Sequence, residues 1–293
     1  MSAVQVAAYA KVNLSLEVLG KRADGFHEVR SVMQSISLAD ELVMEDASRL
    51  TVECELPELA GEGNLVMAAA QALRDRMPKR CGAKITLRKG IPVASGLGGA
   101  SSDAAAALIG LARLWGLALP GGDVAAIAAS LGSDVPFFLI GGTAMVRGRG
   151  ELVEPLPDAQ PLWLALLVPG HTLAAKTAAL YQRLSAGAWS SGEQTDCLAE
   201  AISGQRKLYD GLLSNAFETV AGDVFPAIAA YQEALQDAGA SAVHLSGAGP
   251  ALFSLFDSEA SAASVARRVA LKGFKPFVAR SLAAVEACPV ARE

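Results

Sequence analysis

The sequence is poor in the features that nucleic-acid-binding proteins use. Aromatic residues make up 5% of its 293 residues, and the formal net charge is −5. A nucleic-acid footprint needs a basic patch, and a platform for single strands needs stacked aromatic rings. We therefore expect no nucleic-acid partner.

Cysteine and histidine are also scarce and scattered. The four cysteines form no CxxC pair, and the three histidines, His27, His171 and His244, belong to no HExxH motif. These spacings speak against a disulfide framework and against a structural zinc site. We interpret the cysteines as free thiols in a reducing compartment and assign no residue to a metal.

Long hydrophobic runs are missing too. Hydrophobic residues account for 52% of the chain, but the longest apolar stretches, such as 161–169, have the length of a strand. A bilayer requires roughly 20 apolar residues. Residues 1–10 lack a cationic segment followed by an apolar one. We therefore predict no signal peptide, no membrane partner and a cytoplasmic location.

What the sequence does contain is a mixture of strand and helix patterns. Val12, Leu14, Leu16 and Val18 alternate with polar residues, which predicts a half-buried strand. Further strands are predicted at 42–45, 50–54, 84–88, 162–168, 242–245, 251–256, 274–279 and 283–287, and helices at 64–76, 102–115, 123–131, 176–184, 211–220, 225–237 and 258–271. This mixture predicts an α+β fold of antiparallel sheets with helices on one side.

A cluster of prolines divides the chain. Residues 155–161 contain three prolines, a composition typical of a connection between domains. We predict an N-terminal domain of residues 1–157 and a C-terminal domain of residues 158–293.

A glycine-rich turn at 92–103 is the most informative segment. A predicted strand enters it, three glycines follow, and two serines open an alanine-rich helix. Free amides and the positive end of the dipole at a helix N-terminus suit a phosphate. The alternative is an ordinary loop with Ser101 or Ser102 as N-cap and Asp103 complementing the dipole. The turn matches neither a Walker A loop nor GxGxxG, so it indicates phosphate binding without naming a reaction.

Several motifs together resemble one enzyme family. Residues 92–107 resemble the PxxxGLGxSS-Ala phosphate loop of the GHMP kinase superfamily, which includes galactokinase, homoserine kinase and mevalonate kinase. Segments 10–16 and 245–253 lie where that superfamily has its other motifs. Segments 10–16, 20–27 and 131–138 are similar to the branch that acts on a cytidine-diphosphate-linked methylerythritol. The resemblance covers about residues 8–257.

The resemblance implies a two-domain α+β kinase with its active site in the cleft between the domains. It implies the ATP- and Mg²⁺-dependent phosphorylation of the acceptor's 2-hydroxyl, on the non-mevalonate route to isoprenoid precursors. From the sequence we expect a monomer or a weak homodimer.

The resemblance also assigns residues. The catalytic pair is Lys11, which stabilises charge, and Asp134, which accepts the hydroxyl proton. The ATP site comprises Pro92, Val93, Ala94, Ser95, Gly96, Leu97, Gly98, Gly99, Ala100, Ser101 and Ser102, with Asn64 and Lys89 as further candidates. The acceptor site comprises Asn13, Phe26, His27, Thr177 and Tyr181, with cytosine between the rings of Phe26 and Tyr181 and its edge read by His27.

The sequence departs from the family's pattern at four positions. Phe26 replaces a tyrosine, and Ala100 replaces the third glycine of the phosphate loop, where a positive φ would be strained. Ala248 stands where a serine or threonine is usual, and Pro250 beside it has no N–H to donate.

Other interpretations of the same residues remain open. Lys11 could lie on a solvated strand face, and Asp134 could be a turn-forming or capping aspartate before Pro136. The chain could be another kinase of the superfamily, acting on homoserine or mevalonate, or a nucleotide sensor without activity. A dinucleotide oxidoreductase fits least, because no βαβ pattern surrounds the glycines.

Overall fold

The computed structural model describes residues 3–61, 63–76, 81–117, 121–170 and 175–288, which form two β-sheets with helices packed against them. The strands are β1 (Ala3–Lys21), β2 (His27–Ala47), β3 (Leu50–Cys54), β4 (Gly82–Arg88), β5 (Thr143–Gly148), β6 (Leu152–Pro155), β7 (Trp163–Leu167), β8 (Ser214–Asn215), β9 (His244–Leu245), β10 (Leu252–Phe256) and β11 (Pro276–Arg280). The α-helices are α1 (Leu65–Arg74), α2 (Gly99–Leu114), α3 (Gly121–Leu131), α4 (Val135–Ile140), α5 (Lys176–Arg183), α6 (Glu193–Ser203), α7 (Ala221–Val224), α8 (Ile228–Asp237), α9 (Glu259–Leu271) and α10 (Ala284–Ala287). His171 lies outside the described residues.

The larger sheet is built around the long strand β2. One edge of β2 pairs antiparallel with β1, and the other edge pairs with β4 at residues 41–47 and with β5 at residues 29–34. The pairs β3–β4 and β1–β8 are parallel. The smaller sheet has the order β11-β7-β10-β9 and is antiparallel throughout. The α+β fold is confirmed, with two parallel pairs in addition to the predicted antiparallel ones.

Strand β1 is buried on both faces, so the prediction of a half-buried strand is wrong. Its polar residues Asn13, Ser15 and Glu17 have exposed fractions of only 2, 0 and 7%. The start of β1 packs with α1 to α4, and its middle packs against the smaller sheet and α6. The polar side chains are tolerated inside because they are hydrogen-bonded. Glu17, for example, accepts a hydrogen bond from the backbone amide of Thr195 at 2.7 Å.

Two of the predicted elements differ in type. Residues 283–287, predicted as a strand, form the short helix α10, whose Glu286 accepts the amide of Ala283 and pairs with Arg280. Residues 211–220, predicted as a helix, contain β8 between two 3₁₀ turns. The helix is interrupted because Asn215 donates its side-chain amide to the carbonyls of Leu245 and Gly247.

The proline cluster at 155–161 connects β6 of the larger sheet with β7 of the smaller one. The later strand β8 nevertheless pairs with β1. The domain boundary after residue 157 stays a prediction. Within the part of the chain that the structure describes, no helix combines the length and the apolar composition needed to cross a bilayer.

Candidate active site

A cavity of about 1070 Å³ lies between segments of both halves of the chain. Its walls are β1, β2, the glycine-rich turn, the residues before α4, helix α5 and the turn between β9 and β10. Of the predicted site residues, the cavity wall includes Lys11, Asn13, Phe26, His27, Ala94, Ser95, Gly96, Gly98, Gly99, Ala100, Ser101, Asp134, Thr177 and Tyr181. The structure therefore brings most of the predicted residues together.

The glycine-rich turn leads directly into the N-terminus of α2. Helix α2 begins at Gly99, and its N-cap Gly98 has φ 75° and provides no side-chain cap. The amides of the first turn thus have no partner within the helix, and together with the helix dipole they form a positive site at the cavity wall. This is the anion-binding geometry expected from the sequence.

Glycine is required at two positions of this turn. A Cβ atom on Gly98 would lie 2.6 Å from the ring of Phe138, and one on Gly96 would lie 2.4 Å from the carbonyl oxygen of Ser246. Ala100 lies in the first turn of α2, so the expected strain from its replacement of glycine is absent. The non-glycine residue with positive φ in this segment is Ala94, at 50°.

Some residues assigned to the ATP site do not line the cavity. The Ser102 hydroxyl donates to the carbonyl of Tyr9 at 2.7 Å, and the Asn64 side chain caps α1 by accepting the amide of Val66 at 2.9 Å. Lys89 is buried between two carboxylates. Pro92, Val93 and Leu97 also lie off the cavity wall, and the Leu97 carbonyl accepts the amide of Lys11 at 2.9 Å. The assignment of these residues to the nucleotide stays a prediction.

A lysine and an aspartate form an ion pair on the cavity wall. Lys11 Nζ lies 3.5 Å from Asp134 Oδ2 and donates to Asn13 Oδ1 at 2.6 Å. The Asn13 amide in turn donates to Ser31 Oγ at 2.8 Å, which fixes its oxygen toward the lysine. Lys11 has an exposed fraction of 3%, so it does not lie on a solvated strand face.

Asp134 occupies the N-cap position of α4, but its side chain makes no capping hydrogen bond there. The alternative interpretation of a capping aspartate is therefore not supported. Its side chain is about one third exposed, which leaves the carboxylate open to the cavity.

The turn between β9 and β10 closes the cavity beside Lys11. Gly247 has φ 54°, and a Cβ atom there would lie 3.0 Å from Asn13 Oδ1 and 3.1 Å from Lys11 Nζ. The same turn is joined to the glycine-rich turn, because Ser246 Oγ donates to the carbonyl of Gly96 at 3.2 Å. Ala248 also lines the cavity, as the resemblance places it near the site.

Another part of the cavity wall is aromatic. The rings of His27 and Tyr181 stack at 4.3 Å with an angle of 10° between their planes, and Tyr181 meets Phe217 edge-on at 4.9 Å. Phe26 is half exposed and lies under the guanidinium of Arg149, 4.8 Å from its ring centre. The space next to Tyr181 that was predicted for cytosine thus holds the imidazole of His27.

Burial decides the protonation of this aromatic pair. Burial, with a smaller contribution from the charge of Lys21, lowers the pKa of His27, so its imidazole is neutral at pH 7. Burial, with a smaller contribution from Asp134, raises the pKa of Tyr181 to about 12. Both rings therefore present neutral hydrogen-bonding groups.

Three cations of the cavity wall were missed from the sequence: Lys21, Arg149 and Lys176. Lys21 and Arg149 lie in polar or glycine-bounded turns next to recognised motifs, and Lys176 precedes Thr177, so their positions were available signals. With Lys11 they face a single carboxylate, Asp134, among the described residues that line the cavity. The cavity is thus positive in a protein with net charge −5, which favours polyanionic ligands.

The oxygen groups on the cavity wall suit Mg²⁺ in its usual protein environment. The described residues contain no group of three or more histidine, cysteine, aspartate or glutamate side chains that could hold a metal ion. Mg²⁺ keeps several waters and takes one or two protein oxygens together with substrate phosphates. The Ser101 hydroxyl lines the cavity at the α2 N-terminus and fits the role of a protein oxygen ligand.

Comparison with known proteins identifies the family. Residues 64–142 match the GHMP kinases N terminal domain, and residues 196–275 match the GHMP kinases C terminal domain. A Dehalococcoides mccartyi protein named 4-diphosphocytidyl-2-C-methyl-D-erythritol kinase is 44% identical over 276 residues, covering 94% of this chain and 97% of that protein. A protein of the same name from Pelotomaculum thermopropionicum is 42% identical over 271 residues, covering 90% and 93%.

Solved structures agree. A crystal structure of 4-(cytidine 5'-diphospho)-2C-methyl-D-erythritol kinase superposes with a TM-score of 0.81 at 30% identity, covering 94% of this chain and 98% of that one. Homoserine kinase from Cytophaga hutchinsonii has a TM-score of 0.74 at 19% identity, covering 100% and 98%, and shares the fold. The chain belongs to the 4-diphosphocytidyl-2-C-methyl-D-erythritol kinase family within the GHMP kinases.

Proposed function

We propose that the protein transfers the γ-phosphoryl group of ATP to the 2-hydroxyl of 4-diphosphocytidyl-2-C-methyl-D-erythritol, in the non-mevalonate route to isoprenoid precursors. The observation that carries this proposal is the Lys11–Asp134 pair, separated by 3.5 Å in a cavity that also receives the uncapped N-terminus of α2. A phosphate held at that helix would lie beside both a cation and a proton acceptor.

The nucleotide phosphates bind at the start of α2. Gly98 and Gly99 let the backbone approach the phosphates closely, and the first-turn amides together with the Ser101 hydroxyl donate hydrogen bonds. The Ser101 hydroxyl is the side-chain group that would hold Mg²⁺ together with the phosphates, and the bound ion would neutralise part of their charge.

The cytosine of the acceptor binds at the aromatic part of the cavity wall. This cytosine stacks on the ring of Phe26, with the edge of His27 facing the edge of the base, and such stacking contributes about 1–3 kcal/mol per base. The neutral imidazole of His27 offers one N–H donor and one nitrogen acceptor to the base edge, which favours cytosine over uracil.

The chemistry is a direct displacement. The acceptor's hydroxyl oxygen forms a bond to the γ-phosphorus while the bond from that phosphorus to the leaving ADP oxygen breaks, and the hydroxyl proton passes to the Asp134 carboxylate. The transition state is loose, so positioning and charge stabilisation supply most of the acceleration. Lys11, oriented by Asn13, supplies a positive charge beside the transferring group.

Replacing Asp134 by Asn tests this mechanism. The variant keeps the size of the side chain but cannot accept the proton, so we expect kcat to fall by about 10²–10⁴, the contribution typical of a positioned base. Phosphorus NMR and a coupled ADP-release assay with ATP, Mg²⁺ and the cytidylyl substrate measure turnover. Calorimetric binding of a non-hydrolysable ATP analogue should remain close to the wild-type value.

Asp123→Asn, on the exposed surface of α3, is the matched control and should keep full activity. Wild-type turnover in Asp134→Asn would remove this residue from the reaction. Replacing the substrate by its uridine counterpart, homoserine or mevalonate tests the acceptor assignment, and phosphorylation of one of these in preference to the cytidylyl substrate would contradict it.

We further propose a cytoplasmic enzyme, a monomer or weak homodimer, without a nucleic-acid partner. The acidic net charge of −5 and the small polyanionic substrates support this view. Residues 1–157 would form the nucleotide-binding domain and residues 158–293 the second kinase domain. Light scattering after size exclusion measures the mass in solution, and a stable tetramer would contradict the assignment.

A further inference from the structure

Lys176 is a cation on the cavity wall that the mechanism above does not use. It begins α5, one residue before Thr177, and its side chain is half-buried. Its ammonium donates to the backbone carbonyls of Ala94 and Gly249. These carbonyls belong to the glycine-rich turn and to the turn between β9 and β10, so Lys176 bridges the two turns that surround Lys11.

The positive charge of the Lys176 ammonium lacks a neutralising partner among the described residues. Among the described residues, Lys176 forms no ion pair with a carboxylate, and its partners are two neutral carbonyls. Burial, followed by repulsion from the charge of Lys11, lowers the pKa of Lys176 to about 8. Two ammonium groups thus share one cavity with Asp134 as the carboxylate on its described wall. An arriving anion removes both the repulsion and the cost of burial.

We propose that Lys176 is a phosphate-binding residue of the active site, whose ammonium exchanges its two backbone carbonyls for phosphate oxygens of a bound substrate. The proposal rests on the proposed function, which brings two polyphosphates into this cavity. Lys176 lies between the glycine-rich turn and the predicted acceptor residues Thr177 and Tyr181. Its ligand is therefore a phosphate of ATP or the diphosphate of the acceptor, and separate measurements distinguish the two sources.

A purely structural role of Lys176 would require different chemical groups from a phosphate-binding role. A side chain that only fastens the two turns needs N–H donors and no charge, whereas a phosphate ligand needs the charge. Lys176→Gln retains an amide donor and removes the charge, and Lys176→Arg retains the charge. Arg183→Gln removes a charge from the same helix at an exposed position away from the cavity wall and serves as the matched control.

The experiment measures binding by calorimetry of two probes, a non-hydrolysable ATP analogue with Mg²⁺ and CDP. We expect Lys176→Gln to raise Kd for one of the probes by about tenfold or more, the loss that corresponds to one charge-assisted hydrogen bond. Lys176→Arg should recover most of this affinity, and Arg183→Gln should match the wild type. A loss confined to the ATP analogue assigns the lysine to the nucleotide, and a loss confined to CDP assigns it to the acceptor.

Proton uptake gives a second readout that a structural role would not move. A bound phosphate restores the charge of Lys176, so wild-type binding at pH 8.5 should take up part of a proton more than Lys176→Gln does. This difference should disappear at pH 6.5, where the lysine is already charged and the remaining proton exchange comes from the terminal phosphate of the probe. The other ionisable groups on the described cavity wall are Lys11 and Lys21 on β1, His27 on β2, Asp134 before α4, Arg149 after β5 and Tyr181 on α5. The segments 94–98 and 246–250, which contain the two carbonyls that Lys176 binds, have no ionisable side chain.

Calorimetry in buffers of different ionisation enthalpy measures the proton uptake of the wild type and of Lys176→Gln. Wild-type Kd values for both probes in Lys176→Gln would overturn the proposal and leave the lysine as a structural bridge. A wild-type protein that binds neither probe would instead refute the proposed function.

Discussion

At the scale of single residues, the site depends on side chains that hold other side chains. Lys11 is directed by Asn13, and Asn13 is directed by Ser31, whose hydroxyl donates to the carbonyl of Ser15 at 2.5 Å. Each hydrogen bond restricts the next side chain to one orientation. The Lys11 ammonium is therefore held in position before any substrate binds. Such preorganisation means that no reorganisation is needed as charge develops in the transition state.

Gly247→Ala should disturb this arrangement. The new methyl group would lie 3.0 Å from Asn13 Oδ1 and 3.1 Å from Lys11 Nζ, on a backbone with φ 54° that favours glycine. We expect kcat to fall by about tenfold or more, because small displacements of catalytic groups are costly. The loss of folding stability should be about 1–2 kcal/mol, the cost of a left-handed residue.

Steady-state kinetics and urea unfolding measure these two effects. Gly222→Ala in α7, where a Cβ atom meets nothing within 4 Å, is the control and should leave kcat unchanged. A fully active Gly247→Ala enzyme would show that the position of Lys11 tolerates this displacement.

The sequence indicated the proposed catalytic pair more directly than the other cations of the cavity wall. Lys11 and Asp134 belong to motifs, and the structure brings them to 3.5 Å. Lys176 is adjacent in sequence to the predicted residue Thr177, but its contacts are with the carbonyls of residues 94 and 249. Such a contact is set by tertiary packing, which the periodicity of a sequence does not encode.

At the scale of elements, a buried charge cluster fastens α2 to the larger sheet. Lys89, directly after β4, pairs with Asp40 of β2 and with Asp103 of α2. Asp40 also accepts the amides of Gly90 and Ile91 at 2.7 and 2.8 Å. The second oxygen of Asp103 is buried without a hydrogen-bond partner. One ammonium therefore serves two buried aspartic acid side chains, of which Asp103 is the poorly satisfied one.

Asp103→Asn should make the fold less sensitive to pH. Burial, followed by repulsion from Asp40, raises the pKa of Asp103 from 3.8 to about 8. The folded state thus binds a proton that the unfolded state releases, so the stabilisation is complete below pH 3.8 and is lost as the pH rises toward 8. An asparagine resembles the protonated acid at every pH, and we expect a higher Tm than the wild type at pH 8.5.

Thermal unfolding followed by circular dichroism at pH 5.5 and pH 8.5 measures this slope. The Tm of the wild type should fall over this interval by several degrees more than that of the variant. The surface control Asp123→Asn should follow the wild type. Parallel pH profiles for Asp103→Asn and the wild type would mean that Asp103 stays charged in the folded protein.

The elements with strong local signals were predicted correctly. Helix α2, predicted at 102–115, spans Gly99–Leu114, because its alanines and the glycine turn before it act locally. Segments without periodicity were not assigned, and α6 (Glu193–Ser203) forms in one of them. Helix α6 is stabilised from outside, by Leu198 and Ile202 in the core and by the bond from Thr195 to Glu17 of β1.

At the scale of the whole molecule, the two sheets share a hydrophobic cluster. Leu14 of β1 and Ile36 of β2 pack in the same cluster as Leu164 of β7 and Phe253 of β10. The C-terminal end of the described chain returns to the larger sheet, where the Leu282 amide donates to the carbonyl of Ser35 at 2.9 Å. The proline cluster in the sequence indicates where the chain passes from one sheet to the other. It does not predict the packing of the two sheets, because those contacts join residues far apart in sequence.

A chain cut after residue 157 should therefore fail to form a stable N-terminal half. Removing the rest exposes Val12, Leu14, Val32 and Ile36, each at most 1% exposed in the intact protein. Exposure of such side chains costs about 1.5–3 kcal/mol each, so the total is comparable with a whole domain's stability of about 5–15 kcal/mol. We expect the isolated fragment 1–157 to bind a hydrophobic dye and to lack a cooperative thermal transition.

The intact protein should unfold in one calorimetric transition, and coexpression of fragments 1–157 and 158–293 should restore both that transition and ATP turnover. Coexpression is the informative control, because it separates loss of docking from loss of the covalent connection. Two resolved transitions in the intact chain, or a soluble fragment 1–157 with its own sharp melting point, would show that each half is stable alone. In that case the shared hydrophobic cluster would serve to position the cavity walls and would contribute little to folding.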